Sequence, residues 1–113
     1  MIHRPIRPVA TPETRKQRVE LREAIRAMAR PVSGPEEIAG WVRTLGAVGM
    51  FLECARPLHL ETRCHFALTI KGEDAPVMVD GWVVAVAPEG MAVQFDVLEP
   101  HLQRIINQVI ARQ

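Results

Sequence analysis

Two stretches decide the fold of this sequence: GMFLECARPLHLETRCHFALTI, residues 49–70, and DGWVVAVAPEGMAVQFDVL, residues 80–98. Both consist of short runs rich in Val, Phe, Ile and Trp, and turn residues such as KGEDAP (71–76) and PEG (88–90) separate the runs. Short apolar and β-branched runs bounded by Gly, Pro and Asp predict strands. Because no helical pattern lies between them, we expect an antiparallel sheet or barrel and not βαβ units.

The closing segment EPHLQRIINQVIARQ, residues 99–113, has a different period. Its apolar side chains recur at the spacing of one helix face: Leu102, Ile105, Ile106, Val109 and Ile110. This i, i+3, i+4, i+7 pattern predicts an amphipathic helix, and Pro100 suits its first turn, where the missing N–H costs nothing. The stripe must be buried, either on the barrel or against a partner helix, and we expect it to pack on the barrel.

Length and composition indicate one globular domain. The chain has 113 residues, of which 48% are hydrophobic and 24% charged, with a net charge of +1. It lacks the run of about 18 apolar residues that membrane insertion requires, and its start lacks the apolar core of a secretory signal. We therefore expect a cytoplasmic protein, with Cys54 and Cys64 as reduced, small core residues.

The charge is unevenly distributed along the chain. Residues 1–43 hold nine Arg and Lys against five Asp and Glu, a balance of +4, whereas residues 44–113 hold five against eight, a balance of −3. The prolines of residues 1–12 predict an extended basic arm, which leaves residues 13–113 as the domain. Such an arm either attracts a phosphate-bearing ligand or is solvated. Because no aromatic residue lies among the arginines, duplex nucleic acid is not an expected partner.

The segment 13–30 has two interpretations. The spacing of Leu21, Ala24, Ile25 and Met28 is helical, and its Glu, Leu, Ala and Arg residues are good helix formers. The alternation of Val19, Leu21, Ile25, Ala27 and Ala29 instead fits a strand, with Glu23 as the exception. Periodicity alone slightly favours the helix.

From residue 49 onward the sequence resembles the PilZ domain family. The matching residues are Gly49, Met50, Phe51, Pro57, Leu58, Gly81, Val83, Val84, Gly90, Met91, Val93 and Phe95. The resemblance implies a mainly β fold, a six-stranded antiparallel β-barrel with a C-terminal α-helix. It also implies a hairpin before Gly49, with strands at about 19–29 and 37–44 around the turn RPVSGP (30–35), and so favours strand over helix for residues 19–29.

PilZ domains typically bind cyclic di-GMP, and the resemblance implies two ligand motifs. The first is an R-x-x-x-R pair before the first strand, whose planar guanidiniums suit phosphates and flat rings. Arg18 and Arg22 have this spacing. In a second register Arg18 is the second member of the pair, and Thr14 occupies the first position.

The second family motif, D/N-x-S-x-x-G, is degenerate here. It aligns with TLGAVG, residues 44–49, so Thr44 replaces the carboxylate or amide, Gly46 replaces the serine, and only Gly49 is retained. A hydroxyl cannot present two coplanar oxygens to guanine. Losing a charge-assisted contact costs about 1.5–3 kcal/mol, or roughly tenfold to a hundredfold in affinity. The candidate ligand-binding residues are thus Arg18, Arg22, Thr44 and Gly49, with weak or lost affinity.

We expect no catalytic or metal site, and no cofactor. Cys54, His59, Cys64 and His65 lack the spacing of a metal centre, and adjacent Cys64 and His65 point to opposite faces of a strand. Ser33, the single serine of the chain, lies in a turn without a histidine nearby in sequence.

The favoured interpretation is a bacterial signalling module that has weak or no cyclic di-GMP binding and acts on an unknown protein partner. The alternative is a functional cyclic di-GMP receptor that uses the N-terminal arginines.

Four methionines are expected to fill the core: Met28, Met50, Met78 and Met91.

Overall fold

The structure is a computed structural model, and it describes residues 18–113. Within this range the chain forms seven strands and one helix. In order, they are β1 (Val19–Glu20), β2 (Arg26–Pro31), β3 (Ile38–Leu45), β4 (Gly49–Glu53), β5 (Arg63–Thr69), β6 (Val77–Ala87), β7 (Gly90–Phe95) and α1 (Pro100–Ala111). The predicted basic arm, residues 1–12, lies outside the described residues.

Strands β2 to β7 form a closed antiparallel barrel. The hydrogen-bonded order is β3-β2-β5-β6-β7-β4, and a further pairing of β4 with β3 closes the ring. The predicted six-stranded barrel with a C-terminal helix is confirmed. β1 is an additional short strand, which pairs with the end of β3.

Residues 19–29 are two strands and not one. Glu20 lies opposite Thr44 and Arg26 lies opposite Trp41, so the five residues 21–25 face only two residues of β3. The surplus residues cannot keep a regular ladder, and they leave the barrel wall as a bulge. The helical interpretation of this segment is wrong because the barrel pairing overrides a weak local preference.

The core lies inside the barrel, and buried residues alternate with more exposed ones along β2 and β5. The inward-facing residues of β2 and β5 are fully buried: Ala27, Ala29, Phe66 and Leu68 are each no more than 1% exposed. Cys54 and Cys64 are buried free thiols, as expected. Desolvation raises the pKa of Cys64 to about 11, because burial penalises the thiolate.

The helix packs its apolar stripe against this core, as predicted. Ile106 and Val109 are fully buried, and Leu102, Ile105 and Ile110 are partly buried against the same cluster. A helix with one apolar face must bury that face, and here it completes the core of the barrel.

The methionines divide between core and surface. Met50 and Met91 are fully buried, and Met28 is partly buried. The prediction that Met78 fills the core is wrong, since Met78 is 54% exposed. Met78 alternates with Val77 and Val79, both of which point inward, so it must point outward.

The C-terminal end of α1 holds the bulge of residues 21–25. The Arg112 guanidinium donates through Nε and Nη2 to the two carboxylate oxygens of Glu23, at 2.9 and 2.8 Å. Gln113 Nε2 donates to Glu23 Oε1 at 3.0 Å, and the Arg22 N–H donates to Gln113 Oε1 at 2.7 Å. The hydrogen bonds from Arg112 are the main reason that the pKa of Glu23 falls from 4.5 to about 2.

We expect Glu23→Gln to lower the free energy of unfolding by about 1 kcal/mol at pH 7. Because the folded-state pKa of Glu23 is depressed to about 2, its contribution is present above pH 4.5 and is lost as the pH falls toward 2. Urea denaturation followed by tryptophan fluorescence from pH 7 to pH 2 measures both effects. Glu36→Gln, at an exposed loop residue before β3, is the matched control. A difference between wild type and Glu23→Gln that does not shrink with falling pH would contradict this account.

Candidate functional site

An open groove of about 480 Å³ lies where β1 meets β3 and β4. We call it the arginine groove. Its lining residues are Arg18, Glu20, Arg43, Thr44, Phe51 and Glu89. Two of the four predicted ligand-binding residues, Arg18 and Thr44, therefore line one surface.

Backbone pairing builds this groove. β1 runs antiparallel to β3 with Glu20 opposite Thr44, and on its other edge β3 pairs with β4, where Thr44 lies opposite Phe51. Glu20 and Phe51 thus flank Thr44, and all three residues line the groove. The arrangement combines a guanidinium, a hydroxyl and an aromatic ring at one surface, groups that can bind a phosphate and stack on a flat ring.

Gly49 lies against Arg18. A Cβ built at Gly49 would overlap the carbonyl oxygen of Val93 in β7 and would lie 3.3 Å from Nη2 of Arg18. The glycine is required because β4 and β7 approach each other too closely for a side chain. The structure therefore brings Arg18, Thr44 and Gly49 together.

Arg22, the fourth predicted residue, is not in the arginine groove. It belongs to the bulge and is exposed, and its N–H donates to Gln113 at the end of α1. Of the Arg18–Arg22 pair, only Arg18 reaches the groove. Thr14, the first position of the other register, lies outside the described residues.

Among the residues that the structure describes, the formal charges that line the groove cancel. Arg18 and Arg43 contribute two positive charges, and Glu20 and Glu89 contribute two negative charges. Arg43 also faces Glu53, with Nη2 and Oε2 3.7 Å apart. An anionic ligand would therefore meet carboxylates as well as guanidiniums at this surface.

Sequence reasoning missed Glu20, Arg43, Phe51 and Glu89. Glu20 and Arg43 could be found once β1 is paired with β3, since Glu20 then lies opposite Thr44 and Arg43 precedes Thr44 in sequence. Glu89 comes from the β6–β7 turn, and no local sequence signal connects it with residue 18.

Two of the residues considered for a metal site, Cys64 and His65, lie on opposite faces of β5. Cys64 points inward, whereas His65 is exposed, with its Nδ1 2.8 Å from Asp80 Oδ1. Across residues 18–113, no group of three His, Cys, Asp or Glu residues has the arrangement of a metal site. In the same range no helix has both the length and the apolar character needed to cross a membrane.

The family model of the PilZ domain matches residues 15–112. The chain belongs to the PilZ domain family. A search of curated proteins found no significant match.

Solved structures with the same fold are distant in sequence. The PilZ domain of CeSA from a cellulose-synthesizing bacterium has a TM-score of 0.67 at 11% identity, covering 84% of this chain and 95% of that one. YcgR from Escherichia coli in complex with cyclic di-GMP has a TM-score of 0.68 at 13% identity, covering 84% of this chain and 43% of that one. The Bacillus subtilis inhibitor of motility, MotI/DgrA, has a TM-score of 0.61 at 15% identity, covering 85% of this chain and 49% of that one. This chain spans less than half of the last two.

We expect Gly49→Ala to lower the free energy of unfolding by about 1–3 kcal/mol, because β4 and β7 must separate to admit the methyl group. Gly34→Ala is the matched control, since a Cβ there meets no atom within 4 Å. Urea denaturation of both variants measures the difference. Equal stability of the two variants would contradict the close approach at Gly49.

Proposed function

We propose that this chain is a non-catalytic PilZ regulatory domain with weak or no affinity for cyclic di-GMP, and that it acts through contact with a protein partner in the cytoplasm. The observation that carries the first part is the charge balance of the arginine groove. Glu20 and Glu89 line the same surface as Arg18. The fold is shared with the Bacillus subtilis inhibitor of motility.

Electrostatics supports weak binding. Cyclic di-GMP carries two phosphate charges, and among residues 18–113 the lining of the groove offers no excess of positive charge. A carboxylate about 6 Å from a phosphate opposes binding by roughly 0.7–2.8 kcal/mol, for effective dielectric constants of about 80 and 20. Two such carboxylates can offset the attraction of Arg18 and Arg43.

The chemistry of Thr44 supports the same conclusion. The family motif places a carboxylate or amide at this position, whereas a hydroxyl has one oxygen and cannot accept from two guanine N–H groups in one plane. The loss of such a charge-assisted contact costs about 1.5–3 kcal/mol. Arg22 is not among the residues that line the groove, and its backbone N–H donates to Gln113 beyond the end of α1.

The alternative is a functional cyclic di-GMP receptor. The placement of Arg18 beside Gly49 and of Phe51 beside Thr44 favours it, because these groups retain the phosphate-binding and stacking parts of a nucleotide site. The complex of YcgR with cyclic di-GMP shows that the ligand is compatible with a protein of this fold. A direct measurement of the affinity for cyclic di-GMP distinguishes this alternative from the proposed function.

Isothermal titration calorimetry of the full chain with cyclic di-GMP tests the proposal. We expect a Kd weaker than about 10 µM, and we expect Arg18→Ala to abolish any residual binding. Arg22→Ala is the matched control and should leave the titration unchanged. A submicromolar Kd that Arg18→Ala abolishes would establish the receptor alternative.

The role of the carboxylates is tested by removing their charge. We expect the double variant Glu20→Gln, Glu89→Gln to bind cyclic di-GMP at least tenfold more tightly than wild type, whereas Glu36→Gln, remote from the groove, should have no effect. Thr44→Asp with Gly46→Ser, which restores the family motif, should also strengthen binding. A loss of affinity in the Glu20→Gln single variant would contradict the account, since it would mean that this carboxylate accepts from the ligand.

A further inference from the structure

The outer surface of the barrel carries an apolar row that crosses four strands. Met28 lies opposite both Ala39 of β3 and Ala67 of β5, and Ala67 lies opposite Met78 of β6. The residues that alternate with them point inward, so these four point outward. We call these four residues the methionine row.

Polar side chains flank the methionine row on one side. Arg30 lies opposite His65, which lies opposite Asp80, and His65 Nδ1 is 2.8 Å from Asp80 Oδ1. The row itself contains no charged residue. Met78 is the most exposed of its large side chains, at 54%. An exposed methionine in an apolar row is suited to contact with another protein, because its flexible thioether adapts to different partner shapes.

At Met78 the row opens into a groove of about 570 Å³ beside the start of α1. We call it the acidic groove. Its apolar lining includes Met78, Leu102 and Ile105, and its acidic lining consists of Glu73, Asp74 and Glu99.

The acidic groove carries negative charge that is compensated only in part. The pKa of Arg112 is raised mainly by its hydrogen bonds with Glu23 and to a smaller extent by the charge of Glu73, so Glu73 already interacts with one cation. Within residues 18–113, the salt bridges include neither Glu73 nor Asp74. Glu99 lies 3.5 Å from His101 Nδ1 and is neutralised only if that histidine is protonated. In the described part of the chain, no Lys or Arg lines this groove. Its charge complements a basic segment and repels an acidic one.

We propose that the methionine row and the acidic groove together bind an amphipathic helix of a partner protein, with basic side chains at the end that enters the acidic groove. The proposal rests on the partner-dependent role given under Proposed function. Met28 and Met78 are two strands apart, about 10 Å at the usual strand spacing. That separation matches the rise of about 10.5 Å between helix positions i and i+7, the spacing of anchor residues in helix-in-groove recognition.

The test uses the full chain and a synthetic helical probe, a peptide of about 14 residues with leucines on one face and lysines on the other. Its matched probe has glutamate in place of every lysine. Amide and methyl chemical shifts in NMR titrations locate the contact. We expect the lysine peptide to bind with a Kd of about 10–100 µM, with the largest shifts at Met78, Ala67 and Leu102, and the glutamate peptide to bind at least tenfold more weakly.

Matched variants separate this surface from general attraction to acidic protein. Met78→Glu should weaken binding at least tenfold, whereas Val86→Glu, on the same strand and 49% exposed, should not. Glu73→Lys should weaken binding several-fold, whereas Glu36→Lys, with the same charge change elsewhere, should not. These positions are exposed, and the NMR spectrum of each variant verifies its fold.

Several outcomes would overturn the proposal. The proposal fails if the lysine peptide does not bind at 1 mM or if both peptides bind equally well. It also fails if the chemical-shift changes centre on the arginine groove, or if Met78→Glu and Val86→Glu lose equal affinity for the lysine peptide. Concentration-dependent dimerisation that Met78→Glu abolishes would assign the row to a second copy of this chain instead. Tight cyclic di-GMP binding at Arg18 would refute the proposed function alone, since the peptide titration reports a different surface.

Discussion

The pairing of β3 on both of its edges is the constraint on which the structure depends. One edge of β3 holds β2 and then β1, and the other edge holds β4, which closes the barrel. The same pairings place Glu20 and Phe51 on either side of Thr44. Barrel closure and the arginine groove are therefore products of one set of hydrogen bonds, and a change that opened β3–β4 would remove both.

Much of the fold could be predicted from local pattern. The strands from residue 49 to residue 95 and the helix from Pro100 follow alternation, turn residues and helical spacing, which are properties of neighbouring residues. Residues 19–29 could not be resolved in this way, because a five-residue bulge interrupts the strand and disrupts its period. The bulge is held by contacts with the end of the chain, among them the ion pair of Glu23 with Arg112, 89 residues away, and no local pattern reveals these contacts.

The candidate site was predictable to a smaller extent. Motif spacing identified Arg18, Thr44 and Gly49, which the structure brings together, but spacing also selected Arg22, which lies at the helix end. Glu89 reaches the arginine groove from a turn 71 residues after Arg18, and its charge changes what the groove can attract. A motif describes the residues that it contains, whereas the electrostatic potential depends on every charge nearby.

The burial of the two thiols has a practical consequence for spectroscopy. Cys54 and Cys64 are 7% and 1% exposed, and desolvation raises the pKa of both, that of Cys64 to about 11. Reagents such as maleimides attack the thiolate, which is scarce at both positions near neutral pH. A cysteine introduced on the barrel surface would react first, so fluorophores or spin labels could be attached to this domain without removing its native cysteines.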